Sequence, residues 1–491
     1  MFPDQTATLL IRADAAPRMG AGHVMRCLAL AQAACKTGLN VHMICRLGVG
    51  WLRSRLAKEN IPLHILPDHP PEKELPEELL QQLQGEGLPL TAEGPIWIAL
   101  DGYHFDGDCQ KAIMRAGYRL LVIDDYAHLP EYHCDILLNQ NIGAEKLLYH
   151  GTIGHKLLGL DYVLLRQEFL KVKKRAIKRI SPIPPQNILI TLGGGNFIEY
   201  LEKIAAEMDM TELASSTVRV IQGAMNAERV RAAFVRCPAQ LEILSRVDDM
   251  PALLLDTDLC ITAGGSTCWE LCYLGVPFLT VELAENQHAI VELLHTQRIA
   301  KQYFPKVWED ILLGRAAHEK ASFGGNGIPN LLIFFKISLC KVEKSDIDFI
   351  FGLANEEDIR AASFNNLPIP YGEHIKWFST ILKKNIPFFI VNIDKKPFGY
   401  VRFQKKNEEV QISIAISKEF RGKGYGEYII REACKKYFFE NDDKQIIAYI
   451  KKGNTPSLKS FKKSGFHVSG DFAINGTVAT KLYLKKKFLE F

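Results

Sequence analysis

The stretch Met19-Gly20-Ala21-Gly22-His23-Val24-Met25-Arg26 decides how the first two thirds of the chain are read. Residues 8–12 before it form a short apolar run ending in a charge, and residues 24–34 after it carry apolar side chains at helical spacing. The order is strand, glycine turn, helix. Gly20 and Gly22 permit a tight turn and close approach of backbone to a ligand, while the helix start offers N–H groups and a positive dipole end to an anion. His23 falls in the first turn, facing whatever the loop holds. A histidine that merely caps or packs in the turn would read the same way locally.

Further along, apolar runs at 41–45, 63–66, 97–100, 120–123 and 135–138 alternate with helical segments, the rhythm of a parallel sheet covered by helices. Residues 71–94, acidic and bounded by Pro and Gly, read as an exposed insertion or helix without chemistry. Two strand ends run into polar groups, Asp101-Gly102-Tyr103-His104 and Asp124-Asp125-Tyr126. Carboxyl ends of parallel strands line the crevice where open α/β sheets bind ligands, which puts Asp101, Tyr103 and Asp124 on the edge of His23.

A second α/β unit follows the Pro-rich break at 181–185. A strand at 187–192 empties into Gly193-Gly194-Gly195-Asn196. Strands at 218–221 and 259–262 come next, the latter opening into Ala263-Gly264-Gly265-Ser266-Thr267 ahead of a helix at 268–274. Two glycine loops at strand-to-helix turns, one with hydroxyls at the helix start, suit a diphosphate. Glu270, one turn into that helix, is within reach of a ribose. After a strand at 279–283, Asn286 and Gln287 offer amides for sugar hydroxyls.

At 491 residues the chain has room for about three domains. It lacks an apolar run of 18 residues and a charged-then-apolar leader, so it is read as neither membrane-spanning nor exported. Its 11 cysteines show no CxxC pair and no metal-like spacing, which suggests reduced thiols in a cytoplasmic protein and no metal. Residues 1–330 hold 32 Lys+Arg against 38 Asp+Glu, whereas 331–491 hold 28 against 18, so two parts of different chemistry are joined. The lysines of the basic part lack interleaved stacking aromatics, which argues against nucleic acid.

In that basic part, a strand at 410–416 precedes Arg421-Gly422-Lys423-Gly424-Tyr425-Gly426 and a helix at 427–437. Successive N–H groups of such a loop can point at a pyrophosphate. A strand at 446–450 then precedes Asn454-Thr455-Pro456-Ser457 and Ser460-Phe461.

The segments IRADAAPRMGAGHVMRCLALA (11–31), DGYHF (101–105), IDDYAH (123–128), LLNQN (137–141), LLGLDYVLLRQEF (157–169), ITLGGGN (190–196) and CITAGGSTCWELCYLGVPFLTVELAENQ (260–287) resemble the two-domain GT-B glycosyltransferase architecture. They are closer still to the pseudaminic acid biosynthesis hydrolases acting on UDP-2,4-diacetamido-2,4,6-trideoxy-β-L-altropyranose. Residues 410–466 resemble the GNAT acetyltransferases. Residues 355–378 look like the subset that acetylates nucleotide-linked amino sugars. The implied fold is α/β, with two doubly wound Rossmann-like domains in GT-B architecture (1–175 and 185–325) followed by an α+β GNAT domain (338–491).

The resemblance implies His23 as the base that activates water, with Tyr103, Asn286 and Asp14 around the sugar and Gly20, Gly22, Arg26 and Gln287 as further contacts. Gly194, Gly195, Asn196, Gly264, Gly265, Ser266 and Thr267 are assigned to the diphosphate, Glu270 to ribose, and Val247 with Met250 to uracil. Acetyl-CoA is the implied cofactor of the GNAT part, held by Ile414, Ile416, Arg421, Gly422, Gly424, Gly426, Asn454 and Ser457. Glu373 and His374 are candidates for its base, and Phe461 stands where many relatives have an acidic tyrosine. The expected activity is bifunctional, with 4-amino acetylation preceding hydrolysis to free sugar and UDP. A UDP-sugar glycosyltransferase and a non-catalytic nucleotide-sugar-binding regulator are the alternatives. Oligomeric state is left open.

Overall fold

Strand β1 (Thr8–Ala13) is buried along its whole length, as an apolar strand covered on both faces must be. In the computed structural model, which describes residues 7–16, 19–67, 71–85, 87–88, 94–176, 182–303, 307–312, 325–406 and 409–488, β1 sits inside a seven-stranded parallel sheet. Its companions are β2 (Asn40–Cys45), β3 (Leu63–Ile65), β4 (Ile96–Asp101), β5 (Arg119–Ile123), β6 (Tyr132–Asn139) and β7 (Gly151–Leu158), in the order β3-β2-β1-β4-β5-β6-β7. Helix α1 (Gly22–Lys36) leaves β1 through the GxGH turn. The direction of strand addition reverses between β1 and β4, so their carboxyl ends flank a crevice.

A second parallel sheet repeats the plan with β8 (Asn187–Thr191), β9 (Thr217–Ile221), β10 (Gln240–Leu244), β11 (Leu259–Ala263), β12 (Phe278–Val281) and β13 (Lys301–Gln302), ordered β10-β9-β8-β11-β12-β13. Its reversal lies between β8 and β11, the two strands that feed the glycine loops. Helix α2 (Thr267–Leu274) follows β11 and ends on Gly275, whose φ of +69° closes the helix in the left-handed region. Both sheets belong to one compact unit, Met1–Leu331.

The other unit, Leu332–Phe491, is built on a mixed sheet of β14 (Ile337–Lys341), β15 (Phe388–Ile393), β16 (Lys396–Lys406), β17 (Glu409–Ile416), β18 (Gln445–Lys451), β19 (His467–Ile474) and β20 (Thr477–Lys485). Every neighbouring pair is antiparallel except β17 and β18, in the order β14-β15-β16-β17-β18-β20-β19. Its helices include α3 (Ile347–Ala354), α4 (Glu357–Ala362), α5 (Tyr371–Lys383), α6 (Tyr425–Glu440) and α7 (Thr455–Lys463). The chain is therefore α/β overall, with two Rossmann-like sheets and an α+β domain.

One expectation is corrected and one strand of the first sheet was not anticipated. The 71–94 segment is no exposed insertion: Leu79 and Leu83 of the helix Pro76–Leu83 are fully buried in the first core, and Glu74 is fully buried against Arg46 and Gln82. Residues 86 and 89–93 of that segment lie outside the described residues. Strand β7 was not foreseen because its glycines disguise it. A Cβ at Gly154 would lie 2.3 Å from the Asp135 carbonyl oxygen, so glycine is what lets β7 close on β6.

Candidate functional site

In-register pairing puts Ala13, the last residue of β1, beside Asp101, the last of β4. The turn after β1 then carries His23 back over that edge, and its Nδ1 meets Asp101 Oδ1 at 2.7 Å. An ionised carboxylate only accepts, so Nδ1 carries the proton and Nε2 is left as the basic nitrogen. Arg26, one helical turn on, clamps both Asp101 oxygens through Nε (2.6 Å) and Nη2 (2.7 Å) and holds Asp125 through Nη1 (2.6 Å). Burial alone would raise the Asp101 carboxyl, but the Arg26 guanidinium and His23 hold it well below the ordinary carboxylate range. Asp125 is likewise lowered against burial by Arg26. The Tyr103 hydroxyl donates to Asp125 (2.7 Å), and its ring stands edge-on to His23 at 4.9 Å.

His23, Gly20, Gly22, Arg26 and Tyr103 line a cavity of about 390 Å³ whose other wall comes from the second sheet. That wall holds Gly193, Gly194, Gly195, Val247, Met250, Gly264, Gly265, Ser266, Thr267, Glu270 and Gln287. Neither α1 nor α2 has a side-chain N-cap, which leaves both helix starts to an anion in the cleft. Gln287 Oε1 accepts from the Gly264 and Leu283 N–H groups and braces the loop.

Three assigned residues fall elsewhere or outside description. Asp14 is fully buried away from the cavity lining, its carboxylate held by Arg12, by Arg46 and by His104 (3.0 Å). It organises the core behind the turn, and its pKa is lowered against burial by His104 and Arg12. Asp14, Glu74 and His104 come within 4.8 Å of one another, but Arg12 and Arg46 already neutralise the two carboxylates. Asn196 is exposed and does not line the cavity. Asn286 lies in the turn Glu285–Gln287, with its side chain outside the described residues.

Other residues were missed. Arg166 lines the cavity and grips Glu270 Oε1 at 2.8 Å; burial raises the Glu270 carboxyl and Arg166 opposes the rise. Asn141 joins the two halves of the cleft by donating to Asp125 (2.9 Å) and accepting from Trp269 Nε1 of α2 (3.3 Å). The partners of Arg166 and Asn141 across the cleft, Glu270 and Trp269, lie more than 100 residues away in sequence and leave no local spacing signal.

In the other unit, β17 and β18 pair only at Val410 with Ile446 and Gln411 with Ile447, then part, leaving Ile414 and Ile416 without β18 partners. Gly422 and Gly424 have φ of +76° and +83°, a turn that points backbone N–H groups at the start of α6. Gly426 opens α6 beside α7, and a Cβ there would make only an ordinary contact with Ser460 Oγ at 3.5 Å. The Arg421 side chain turns away to Glu356 (2.6 Å) and Asp358 (3.0 Å), and Asn454 caps α7 by accepting from the Ser457 N–H. Those two residues thus offer backbone and scaffold rather than their side-chain charge or amide. His374 is buried among Phe351, Trp377 and Phe378 with Nε2 on the Ile347 carbonyl, a packed histidine, whereas Glu373 is exposed. Phe461 is buried edge-on to Phe466.

A nucleotide-type cleft between two Rossmann-like sheets and a separate acetyltransferase-type sheet define the class. The glycosyltransferase family 28 C-terminal domain matches residues 187–304, and the acetyltransferase (GNAT) domain matches 336–467. An uncharacterized protein of Methanocaldococcus jannaschii is 24% identical over 400 residues, covering 76% of this chain and 81% of its own. The UDP-2,4-diacetamido-2,4,6-trideoxy-beta-L-altropyranose hydrolase of Campylobacter jejuni is 24% identical over 60% of this chain and 98% of its own. The putative phosphinothricin acetyltransferase YwnH of Bacillus subtilis is 25% identical over 28% of this chain and 87% of its own. The chain fits a fusion of a UDP-sugar-hydrolase-like part with a GNAT acetyltransferase domain.

Proposed function

We propose that the chain is a bifunctional enzyme of pseudaminic acid biosynthesis. Its domains 1–175 and 185–325 hydrolyse UDP-2,4-diacetamido-2,4,6-trideoxy-β-L-altropyranose, and its domain 338–491 acetylates the 4-amino group of the UDP-sugar precursor. The observation that carries the first half is the His23–Asp101 pair at the reversal point of the first sheet, opposite two glycine loops at the reversal point of the second. In the hydrolysis, water forms a bond to the anomeric carbon and gives its proton to His23 Nε2. The bond from that carbon to the β-phosphate oxygen breaks with its electron pair leaving on UDP. Asp101 fixes the tautomer and stabilises the imidazolium. Backbone N–H groups of the 193–195 and 264–267 loops and the start of α2 take up the charge developing on the diphosphate. Glu270 accepts from ribose hydroxyls, with Arg166 orienting its carboxylate.

For the second half, the parted β17 and β18 and the left-handed glycines fit acetyl-CoA, which supplies the acetyl group as a thioester. Ile414 and Ile416 would hold it through their backbone, and the 421–426 loop through its N–H groups. Phe461 has no proton to give the leaving sulfur, so another donor or water serves. Eleven scattered cysteines without a CxxC pair favour a reducing, cytoplasmic setting, and no described helix is long and apolar enough to cross a membrane.

The test is UDP release from the UDP-linked diacetamido altrose sugar without acceptor, compared with His23→Ala. Rapid release lost in the variant supports the reading. Release that requires an acceptor sugar would instead establish a glycosyltransferase, and equal rates would remove His23 from the chemistry.

A further inference from the structure

Arg402 of β16 lies in register with Phe388 of β15 and Ser413 of β17, and shares a sheet face with Tyr400. Helices α3 and α5 cover that face, where Ile350, Phe378 and Ile381 pack on Phe388 and Ile390. The opposite face packs on α6 through Phe403 stacked on Tyr437. A guanidinium beneath an apolar cover bears the full cost of desolvation unless an anion or dense hydrogen bonding meets it.

Among the described residues no carboxylate meets this one. Its contacts are Ser413 Oγ at 3.5 Å and the Trp377 ring at 5.3 Å, and its Nε is buried without a hydrogen-bond partner. Burial pulls its pKa below the ordinary guanidinium value, and the group that opposes that pull is the Tyr400 phenol, not a carboxylate. Arg360 of α4 is a second guanidinium acting on Tyr400, and its Nε is also buried and unpartnered. Glu356 and Asp358, the acids beside it, are committed to Arg421. Arg402 thus lies beside Ser413, the neighbour of Ile414, and both guanidiniums act on Tyr400; Arg360 Nη2 donates to the Asn365 carbonyl, and among the described residues neither cation meets a carboxylate of its own. Forked guanidiniums from separate elements match phosphate oxygens.

We propose that Arg402, with Arg360 and Tyr400, forms the subsite of the acetyltransferase domain that binds the phosphate groups of its amine acceptor, so that the domain takes phosphate-bearing amines of the sugar-nucleotide class and discriminates against purely cationic amines. This rests on the acetyltransferase reading above and names what the acceptor must carry.

The experiment uses the full chain in a His23→Ala background, which removes hydrolysis of the acceptor, with and without Arg402→Gln. The KM for a UDP-linked 4-amino sugar is expected to rise about 10- to 100-fold, the loss of one or two charge-assisted hydrogen bonds. The kcat, the KM for acetyl-CoA and the slow rate on the free amino sugar stay within about twofold, and Arg402→Lys recovers part of the loss. UDP competes with the acceptor before the substitution and not after it, and calorimetry with UDP finds two sites per chain falling to one. The melting temperature does not fall, because the cation removed is partly buried and lacks a carboxylate partner. Acetyl transfer that UDP never inhibits, an unchanged KM, or a lowered melting temperature with unaltered kinetics would overturn the subsite and leave the acetyltransferase reading intact. No acetyl transfer to any amine would overturn that reading and the subsite with it.

Discussion

Asp101→Asn isolates the part of the site that would make His23 the proposed base. The carboxylate accepts from His23 Nδ1 (2.7 Å), Arg26 Nε (2.6 Å), Arg26 Nη2 (2.7 Å) and Cys27 Sγ (3.4 Å), all donors, and it is fully buried. An asparagine amide must turn its NH2 toward one of them. Facing Arg26, it opposes donor to donor; facing His23, it forces the proton onto Nε2, the nitrogen that must receive one. Either way kcat for UDP release should fall about 10²- to 10⁴-fold, roughly 3–5 kcal/mol at 1.36 kcal/mol per decade. The KM should stay within about threefold, because the diphosphate loops belong to the other sheet. Breaking a buried pair costs about 3–5 kcal/mol, and since Asp125 still faces Arg26 the lower end applies, a loss of roughly 6–12 °C in melting temperature. The native carboxyl is depressed, so its stabilisation is full above the ordinary carboxylate pKa and is lost as pH falls toward the native value. The stability gap between wild type and variant should therefore be constant from pH 6 to 8 and shrink below about pH 4. Steady-state UDP release and thermal melts across pH measure both. A folded Asp101→Asn protein with wild-type kcat would refute the orienting role.

Other outcomes follow from the same geometry. Glu270→Gln should weaken UDP affinity about tenfold by calorimetry, and Arg166→Met should do the same through loss of the grip on Oε1, with kcat nearly constant for both. Gly264→Ala places a Cβ 2.7 Å from Val291 Cγ2 and 3.1 Å from Gln287 Cβ, so it should destabilise by about 1–3 kcal/mol and raise the KM for UDP-sugar in the same assay. Asn454→Ala should lose about 1 kcal/mol through its cap while leaving the KM for acetyl-CoA within about twofold, which separates a cap from a cofactor ligand.

Much of the fold was legible because parallel strands buried on both faces read as apolar runs, and the loops after β1, β8 and β11 announce themselves by glycine. The edge strands β7, β10, β13, β14 and β19 were not foreseen, since short or half-exposed edges need no continuous apolar text, and neither were the interior strands β15, β16 and β20, whose apolar residues are interrupted or bounded by lysines, glycines and turns. For the site, the sequence marked His23, Tyr103, Glu270 and the glycine loops, residues set by local turn chemistry. It placed Asp101 on the right edge without its task, because that task comes from the β1–β4 register. Asp14 does not line the cleft for the converse reason: its carboxylate turns inward to Arg12 and Arg46, a pairing set by strand packing and not by the local turn.

The route from the proposed base to the helix proposed to face the leaving group is continuous. Asp101 holds His23, Arg26 ties Asp101 to Asp125, Asn141 donates to Asp125 on one side, and Trp269 of α2 donates to Asn141 on the other. The first three contacts lie within the first sheet's edge, and only the last crosses to the second, at 3.3 Å from an indole that is itself buried. Trp269 directly precedes Glu270, so seating a nucleotide against Glu270 bears on the same turn of helix that contacts Asn141. Asn141→Asp keeps the acceptor for Trp269 but puts a like charge beside Asp125 in place of the Nδ2 donor. It should raise the KM for UDP-sugar and lower kcat together by about tenfold each, whereas Trp269→Phe, which removes only the crossing hydrogen bond, should move the KM alone. If Trp269→Phe lowers kcat as much as Asn141→Asp does, the crossing contact positions the base as well as the nucleotide; if neither variant alters kinetics, the two walls of the cleft work independently and the hydrogen-bond route is structural.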